Sequence, residues 1–439
     1  MATSIKRSKG SQSSLRIGTY SYWIKIATPH STSGGFQVYS NTVANDNNRG
    51  YWQYTSDGKW RMVDNDDGGT HIQLRTNRLF RDHNAWYHFV VRIDTTQATS
   101  TDRVRLYVNG VQETSFDQTD YPAQNTDLKI FEGGQTDREY MNRIYGGSAQ
   151  SANWYVSHFH YCDGQSYAPT EFGEYDANGV WTIKTSPSVT YGNQGWFMFK
   201  DDASLNDDSG NSNNWSSDSG TIQKSEDNPS NVFATNNSLW KQESSRYLTH
   251  TKGNTMISGG GSATWYQTPA TLAFNSGKFY WECKFNSGTN LFKNTVGVID
   301  VEKTQESGQF QDKIGSVFFK NEDGGDYRLD NSNVDSNWGT LAQNDILGVA
   351  VDMDAGTPTV KYYKNGTLLG TVNASSLSGK FVTPAHMIYT SGEYQVNYGN
   401  GYFQTTAVSS AGTNASGYGI FEYDVPTGYT ALSTKGLNL

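Results

Sequence analysis

At 439 residues the chain is too long for one ordinary β-sandwich and fits two domains of roughly 150–200 residues each. Hydrophobic residues make up 35% and glycine contributes 45 positions, enough for sizeable cores, while charged residues are scarce at 18%. The net charge of −9, with a pI near 5.4, argues against a nucleic-acid partner, which would require a basic patch. No membrane insertion is expected either, because no long apolar span occurs and the basic start MATSIKRSKGSQSSLR has no apolar run behind it.

Residues 1–16 carry Lys6, Arg7, Lys9 and Arg16 and no acidic side chain. So few apolar residues form no core of their own, and the segment reads as a basic N-terminal arm. Two placements are open. The arm lies along its own acidic sandwich, or it docks on a neighbouring protein through Ile5, Lys6, Arg7, Lys9, Leu15 and Arg16, with backbone pairing at a sheet edge.

From Ile17 to residue 200, strand-like runs alternate with turn residues and no helical period appears. TYSYWIKI from Thr19, WYHFVVRID from Trp86, VRLYVNGVQ from Val104 and WYVSHFHY from Trp154 are such runs. Aromatics make up 14%, which favours strands, and only 9 prolines are present to interrupt them. Residues 201–262, which begin DDASLNDDSGNSNNWSSDSG, read as a linker or docked connection. Trp215, Phe233, Leu239 and Trp240 would be its anchors.

Residues 263–437 return to strand-like runs, among them FYWECKF from Phe279, DILGVAVDMD from Asp345 and VKYYKNGTLL from Val360. One pattern occurs in both halves. FVVRID followed by VRLYVNG ends at Asn109-Gly110, and GVAVDMD followed by VKYYKNG ends at Asn365-Gly366. Asn-Gly supplies the positive φ of a tight hairpin. The fold class expected is all-β, two tandem antiparallel sandwiches of jelly-roll type; chance convergence of hairpins is the alternative.

Several side chains are candidates for chemistry. Trp52, Tyr54 and Trp60 offer flat rings for stacking on sugars, against a place in the core. Asp64, Asp66 and Asp67 in VDNDDGG have carboxylates suited to calcium, against a solvated turn; no other cofactor is expected. His158 and His160 alternate on a strand beside Asp163, which suits a metal, against a structural role. Glu171, Glu174 and Asp176 are the best carboxylates for glycoside hydrolysis, but a spacing of three does not share a strand face. No Gly-x-Ser-x-Gly nucleophile motif stands out, and no enzyme activity is expected. In the second half Asp326, Tyr327 and Trp338 lie in a loop-rich stretch suited to a partner. Cys162 and Cys283 fall in different predicted domains and are expected reduced.

NAWYHFVVRIDTTQATSTDRVRLYVNGVQ and HFHYCDGQSYAPTEFGEYDANGVW resemble the laminin-G-like, concanavalin A-like module of marine cyanophage structural proteins, over roughly Ile17 to Trp215. SGKFYWECKF, NDILGVAVDMDAGTPTVKYYKNG and VPTGYTAL resemble a SPRY domain, over roughly Asn228 to Tyr429. In the laminin-G-like family the strand before the first aromatic strand is usually aliphatic; here it is shortened to the basic SIKRSKGSQSSLR. The resemblance implies a non-enzymatic virion surface protein, tail-associated or capsid-decorating, assembled in the host cytoplasm with other virion proteins and copies of itself. A host-glycan adhesin is the alternative, with a glycan-degrading enzyme third.

Overall fold

The computed structural model describes the chain except for residues 1–2, 28–34, 44, 46, 83, 150–151, 153, 241–247, 288–292, 323, 404–405 and 439. The chain divides into two compact units, Met1–Lys224 and Ser225–Leu439. Among the described residues no helix is long and apolar enough to cross a membrane.

The first unit begins with strands β1 Ser4–Lys9, β2 Ile17–Ile26, β3 Phe36–Thr42 and β4 Arg49–Tyr54. Next come β5 Trp60–Asp66, β6 Gly69–Thr76, β7 Trp86–Asp94 and β8 Val104–Val108. β9 Val111–Glu113, β10 Phe116–Asp120, β11 Gln135–Met141 and β12 Trp154–Asp163 follow. Short strands complete it: β13 Gly173–Tyr175, β14 Trp181–Ile183, β15 Trp196–Met198 and β16 Ser216–Ser219. An eight-stranded sheet runs β16-β1-β11-β3-β4-β5-β6-β10, and a six-stranded sheet runs β15-β12-β2-β7-β8-β9.

Period-two alternation decides which side chains face the core. Tyr20, Tyr22 and Ile24 of β2 and Phe89, Val91 and Ile93 of β7 point inward. They meet Trp52, Trp60 and Met62 from the larger sheet. Tyr20 stacks on Tyr161 at 4.3 Å and meets Trp52 edge-on at 4.7 Å, so an aromatic layer fills the sandwich.

The second unit begins with β17 Thr249–Thr251, β18 Met256–Ser258, β19 Trp265–Pro269 and β20 Lys278–Ser287. β21 Thr295–Asp300, β22 Ser316–Lys320, β23 Asp326–Leu329, β24 Ser332–Val334 and β25 Ile346–Asp352 follow. The unit continues with β26 Thr359–Lys364, β27 Thr367–Asn373, β28 Val382–Tyr389 and β29 Glu393–Asn397. One sheet runs β17-β18-β29-β20-β25-β26-β27, with Thr430–Ala431 added in parallel to β20; the other runs β19-β28-β21-β22-β23-β24.

The two units share one topology. β1-β11-β3-β4-β5-β6 corresponds in order to β19-β28-β21-β22-β23-β24, and β12-β2-β7-β8-β9 to β29-β20-β25-β26-β27. Chain order is kept throughout the match. The paired Asn-Gly hairpins of the sequence are therefore equivalent turns, β8–β9 and β26–β27.

Of the two placements open for residues 1–16, the structure shows the one along their own sandwich: β1 lies inside the eight-stranded sheet between β11 and β16. Residues 201–262 are docked, as one of the two expected readings has it, and three of the four expected anchors are buried. Trp215 packs edge-on against Trp196 at 5.3 Å within the first unit. Phe233 and Trp240 are buried in the second, where Trp240 meets Phe310 at 5.0 Å, while Leu239 is exposed.

Candidate functional site

Strands β3 to β6 and β10 are five of the eight strands of the larger sheet, and their alternation sets apart two faces. Trp52, Tyr54 and Trp60 point inward and are at most 3% exposed. The Trp60 indole donates to the Tyr22 hydroxyl at 3.1 Å, and the Tyr54 hydroxyl donates to the Phe80 carbonyl. None has a ring face left for a sugar, which corrects the stacking expectation.

Their sequence neighbours lie on the opposite side of the sheet in register, where Gln53 is buried and Gln37, Arg61, Arg75 and Gln118 are half-buried. Gln37 stands opposite Gln53, Gln53 opposite Arg61, Arg61 opposite Arg75, and Arg75 opposite Gln118. The next row holds Ser40, Tyr51, Val63, Gln73 and Asp120. Gln37 donates to Gln53 at 3.1 Å. Arg75 makes a bidentate pair with Asp117 at 2.8 and 2.7 Å, and Lys59 donates to the same carboxylate. Arg75 and Lys59 together hold the Asp117 carboxyl well below the usual carboxylate range. Arg61 has no such partner: its half-buried guanidinium makes no side-chain hydrogen bond or ion pair among the described residues. Sequence reading missed this face. The signal was available in YWQY and WRMV, where the residues between the core aromatics are Gln53 and Arg61.

The proposed docking residues fall elsewhere. Ile5 is in the core, and Arg7 and Lys9 point inward beside it. Arg7 pairs with buried Glu139 at 2.9 Å, and Lys9 lies 3.8 Å from the same carboxylate. The Tyr39 hydroxyl also donates to Glu139, and Lys9 donates to the Ile130 carbonyl at 3.1 Å. Burial lowers the Lys9 pKa to about 8 against the pull of Glu139. Leu15 packs on the core, and Arg16 makes an exposed pair with Asp127 at 2.7 Å. Lys6 alternates to the outer face, opposite Tyr140. Docking through Ile5, Arg7 and Lys9 is thus corrected: they are interior groups of this unit.

The other polar candidates are used locally. Asp64 is buried and accepts the backbone N–H groups of Ile130 and Lys129 at 2.7 and 3.2 Å; burial pushes its pKa up to about 7. Asp66 pairs with His71 at 3.0 Å, and Asp67 is exposed. The three carboxylates do not converge, so the calcium reading is corrected. A bulge between Ser157 and His160 breaks the strand alternation, and His158 has φ 48°. His160 bonds the Tyr191 hydroxyl at 2.9 Å, and Asp163 accepts the N–H groups of Ser13 and Gln194 at 2.6 and 3.0 Å. Among the described residues no group of three or more His, Cys, Asp or Glu side chains could hold a metal ion. Glu171 ends a short 3-10 turn, Glu174 lies 3.7 Å from Lys184, and Asp176 accepts two N–H groups of its own turn.

In the second unit Asp326, Tyr327 and Trp338 do come together. Buried Asp326 accepts the N–H groups of Ser336 and Asn337 at 2.9 and 3.3 Å. Trp338 stacks on Tyr327 at 5.1 Å and lies against Gly370, where a Cβ would come within 2.2 Å of the indole. Tyr327 and Trp338 form a half-exposed aromatic pair packed on Gly370.

Comparison with known proteins finds a family model that matches part of the first unit. A family model, the concanavalin A-like lectin/glucanases superfamily, matches residues 7–148. The matched stretch begins within β1 and runs through β11, and so includes the whole Gln-Arg row. No curated protein matches the chain. Among solved structures, the PSpry domain of TRIM65 is 15% identical with a TM-score of 0.29, covering 37% of this chain and 91% of that one. The SPRY domain of human HERC1 is 16% identical with a TM-score of 0.29, covering 34% and 91%. Stonustoxin is 20% identical with a TM-score of 0.29, covering 37% of this chain and 27% of its own.

Proposed function

We propose that the protein is a non-enzymatic surface component of a phage virion, tail-associated or capsid-decorating, that uses its lectin-like first unit for attachment. The observation that carries the binding role is the polar outer face of the eight-stranded sheet, a row of Gln and Arg side chains on a rigid sandwich with an aromatic core. The resemblance of NAWYHFVVRID and HFHYCDGQ to phage structural proteins supports the virion setting. Of the carboxylates considered for hydrolysis, Glu171 ends a 3-10 turn, Glu174 lies on β13 near Lys184 and Asp176 closes its own turn, uses that favour binding over cleavage. Its partners are other virion proteins, copies of itself, and a host surface glycan. Purified particles tested with an antibody to the chain should carry it at fixed copy number, and host polysaccharide incubated with the protein should release no new reducing ends. Absence from particles, or sugar release, overturns this reading.

A further inference from the structure

We propose that residues 165–195 form an acid-sensitive cover, held on the outer face of the six-stranded sheet while His88, His158 and His160 are neutral and released when they take up protons. The proposal stands apart from the function argued above. Trp23 and His88 stand opposite on β2 and β7, and His160 and Cys162 follow on β12, all turned away from the aromatic core and at most 5% exposed. The cover lies over them. Phe172 packs on Val90 and Cys162, and Arg92 Nε donates to Ser166 Oγ at 2.6 Å. Trp181 of β14 stacks on His88, and its indole N–H, which can only donate, reaches His88 Nδ1 at 2.9 Å. That nitrogen therefore holds a lone pair, and the ring proton sits on Nε2, 2.8 Å from Ser21 Oγ. A second proton sets two donors against each other and drives Trp181 off the ring.

The other two histidines are as ill-suited to charge. His160 lies against Phe197 at 3.9 Å, and its Nδ1 shares a hydrogen bond with the Tyr191 hydroxyl of the cover at 2.9 Å. His158 bonds Ser157 Oγ through Nδ1 at 2.8 Å, while its Nε2 is buried without a hydrogen-bond partner among the described residues. A proton there leaves a buried charge unpaired. The backbone at this point is left-handed at both His158 and Phe199, where the His158 N–H meets the Phe199 carbonyl at 3.0 Å. The charged groups on this face are Lys25 of β2, Arg92 of β7, and Lys200 and Asp201 after β15; on the hairpin Glu174 pairs with Lys184. Tyr107, Tyr167, Tyr191 and Cys162 are the titratable neighbours. Asp201 is the acid that acts on any of the three rings, and Lys200 beside it opposes its pull on His158. Burial lowers the pKa of His88 to about 3, that of His158 to about 4 and that of His160 well below 6.5, and His158 disfavours charge on the other two. An exposed imidazole titrates near 6.5, so the closed state is fully favoured above that pH and loses ground to the open state as pH falls toward 4. Opening gains about tenfold per histidine for each pH unit below 6.5.

Cys162 lies under the cover and reports its release. The full chain is labelled with dithiodipyridine, which reacts with thiols in mild acid, and modification of Cys162 is read by peptide mass. Each rate is divided by that of the denatured chain at the same pH. Between pH 7.5 and 5.5 the rate should rise about a thousandfold, and about tenfold less in each of His88→Gln, His158→Gln and His160→Gln. Hydrogen exchange at pH 5.5 should find residues 165–195 unprotected while β4 and β5 keep their protection. An unchanged Cys162 rate in wild type, or the full rise in every folded variant, overturns the proposal. Loss of protection in β4 and β5 together with the cover also overturns it, because the whole sandwich then opens. If none of the variants folds by circular dichroism, the two wild-type measurements decide.

Discussion

The Asn109 side-chain oxygen accepts the His88 backbone N–H at 2.8 Å, and Asn365 makes the same bond to Ile346 at 2.9 Å. In each case the asparagine N–H returns to the carbonyl of the same residue, at 2.9 Å in both. Both asparagines are left-handed, with φ 49° and 48°, and a glycine follows each. An aromatic side chain then covers the glycine, Trp181 over Gly110 and Tyr423 over Gly366. Equivalent hairpins in the two units are thus closed by the same device.

Asn109→Ala and Asn365→Ala should each destabilise their own unit by about 1–2 kcal/mol, through the lost hydrogen bond and the left-handed backbone. Asn→Asp at either site keeps the acceptor and should cost less. Hydrogen exchange resolved by unit checks this; an alanine variant with unchanged protection around its hairpin would contradict it.

The repeated pattern made this part of the fold legible, because a hairpin with Asn-Gly is a local signal. The N-terminal strand was not legible. SIKRSK reads as a solvated basic segment until Glu139 is known to lie beside Arg7 and Lys9, and that partner is 132 residues from Arg7 in the chain. The outer face was half legible. Alternation in YWQY separates Trp52 from Gln53, yet composition leaves both a core place and sugar stacking open for the aromatic set, and the structure puts it in the core.

Glu139→Ala should destabilise the first unit by about 3–5 kcal/mol, because Arg7 and Lys9 would remain buried without their counter-charge. Arg16→Ala, which removes the exposed pair with Asp127, should cost about 0–1 kcal/mol. Denaturant unfolding of both variants checks the contrast. Equal small losses would mean that Glu139 does not balance the two cations.

Glu282 faces away from the main core of the second unit and is covered by residues 421–431. It accepts the N–H groups of Glu422 and Tyr423, both at 2.9 Å, and a hydrogen bond from the Tyr280 hydroxyl at 3.2 Å. Burial raises its pKa from 4.5 to about 7 despite these bonds. A raised folded-state pKa means that protonation favours the fold. This contribution is fully present below pH 4.5 and is lost as pH rises through about 7, a change of roughly 3 kcal/mol. Wild type should therefore lose stability relative to Glu282→Gln between pH 5 and 8, read by exchange in residues 421–431. Parallel pH profiles would show that Glu282 does not titrate in that window.

Cys162 and Cys283 are both free and fully buried, one in each unit. Cys162 packs with Val90 and Phe172, and the Cys283 sulfur lies 3.8 Å from His386 Nδ1. Burial pushes both thiols up, away from the reactive thiolate. A thiol reagent at pH 8 should leave the native protein unmodified over minutes. In denaturant without reductant it should titrate both cysteines; finding neither would require a disulfide. The slow native reaction then reports opening of each unit. Glu139→Ala should speed labelling of Cys162 by roughly the factor of 100 or more that 3–5 kcal/mol implies, while Cys283 keeps its rate. Unchanged labelling of Cys162 in a variant already shown to be destabilised would mean that Cys162 is exposed by a local motion and not by opening of the sandwich.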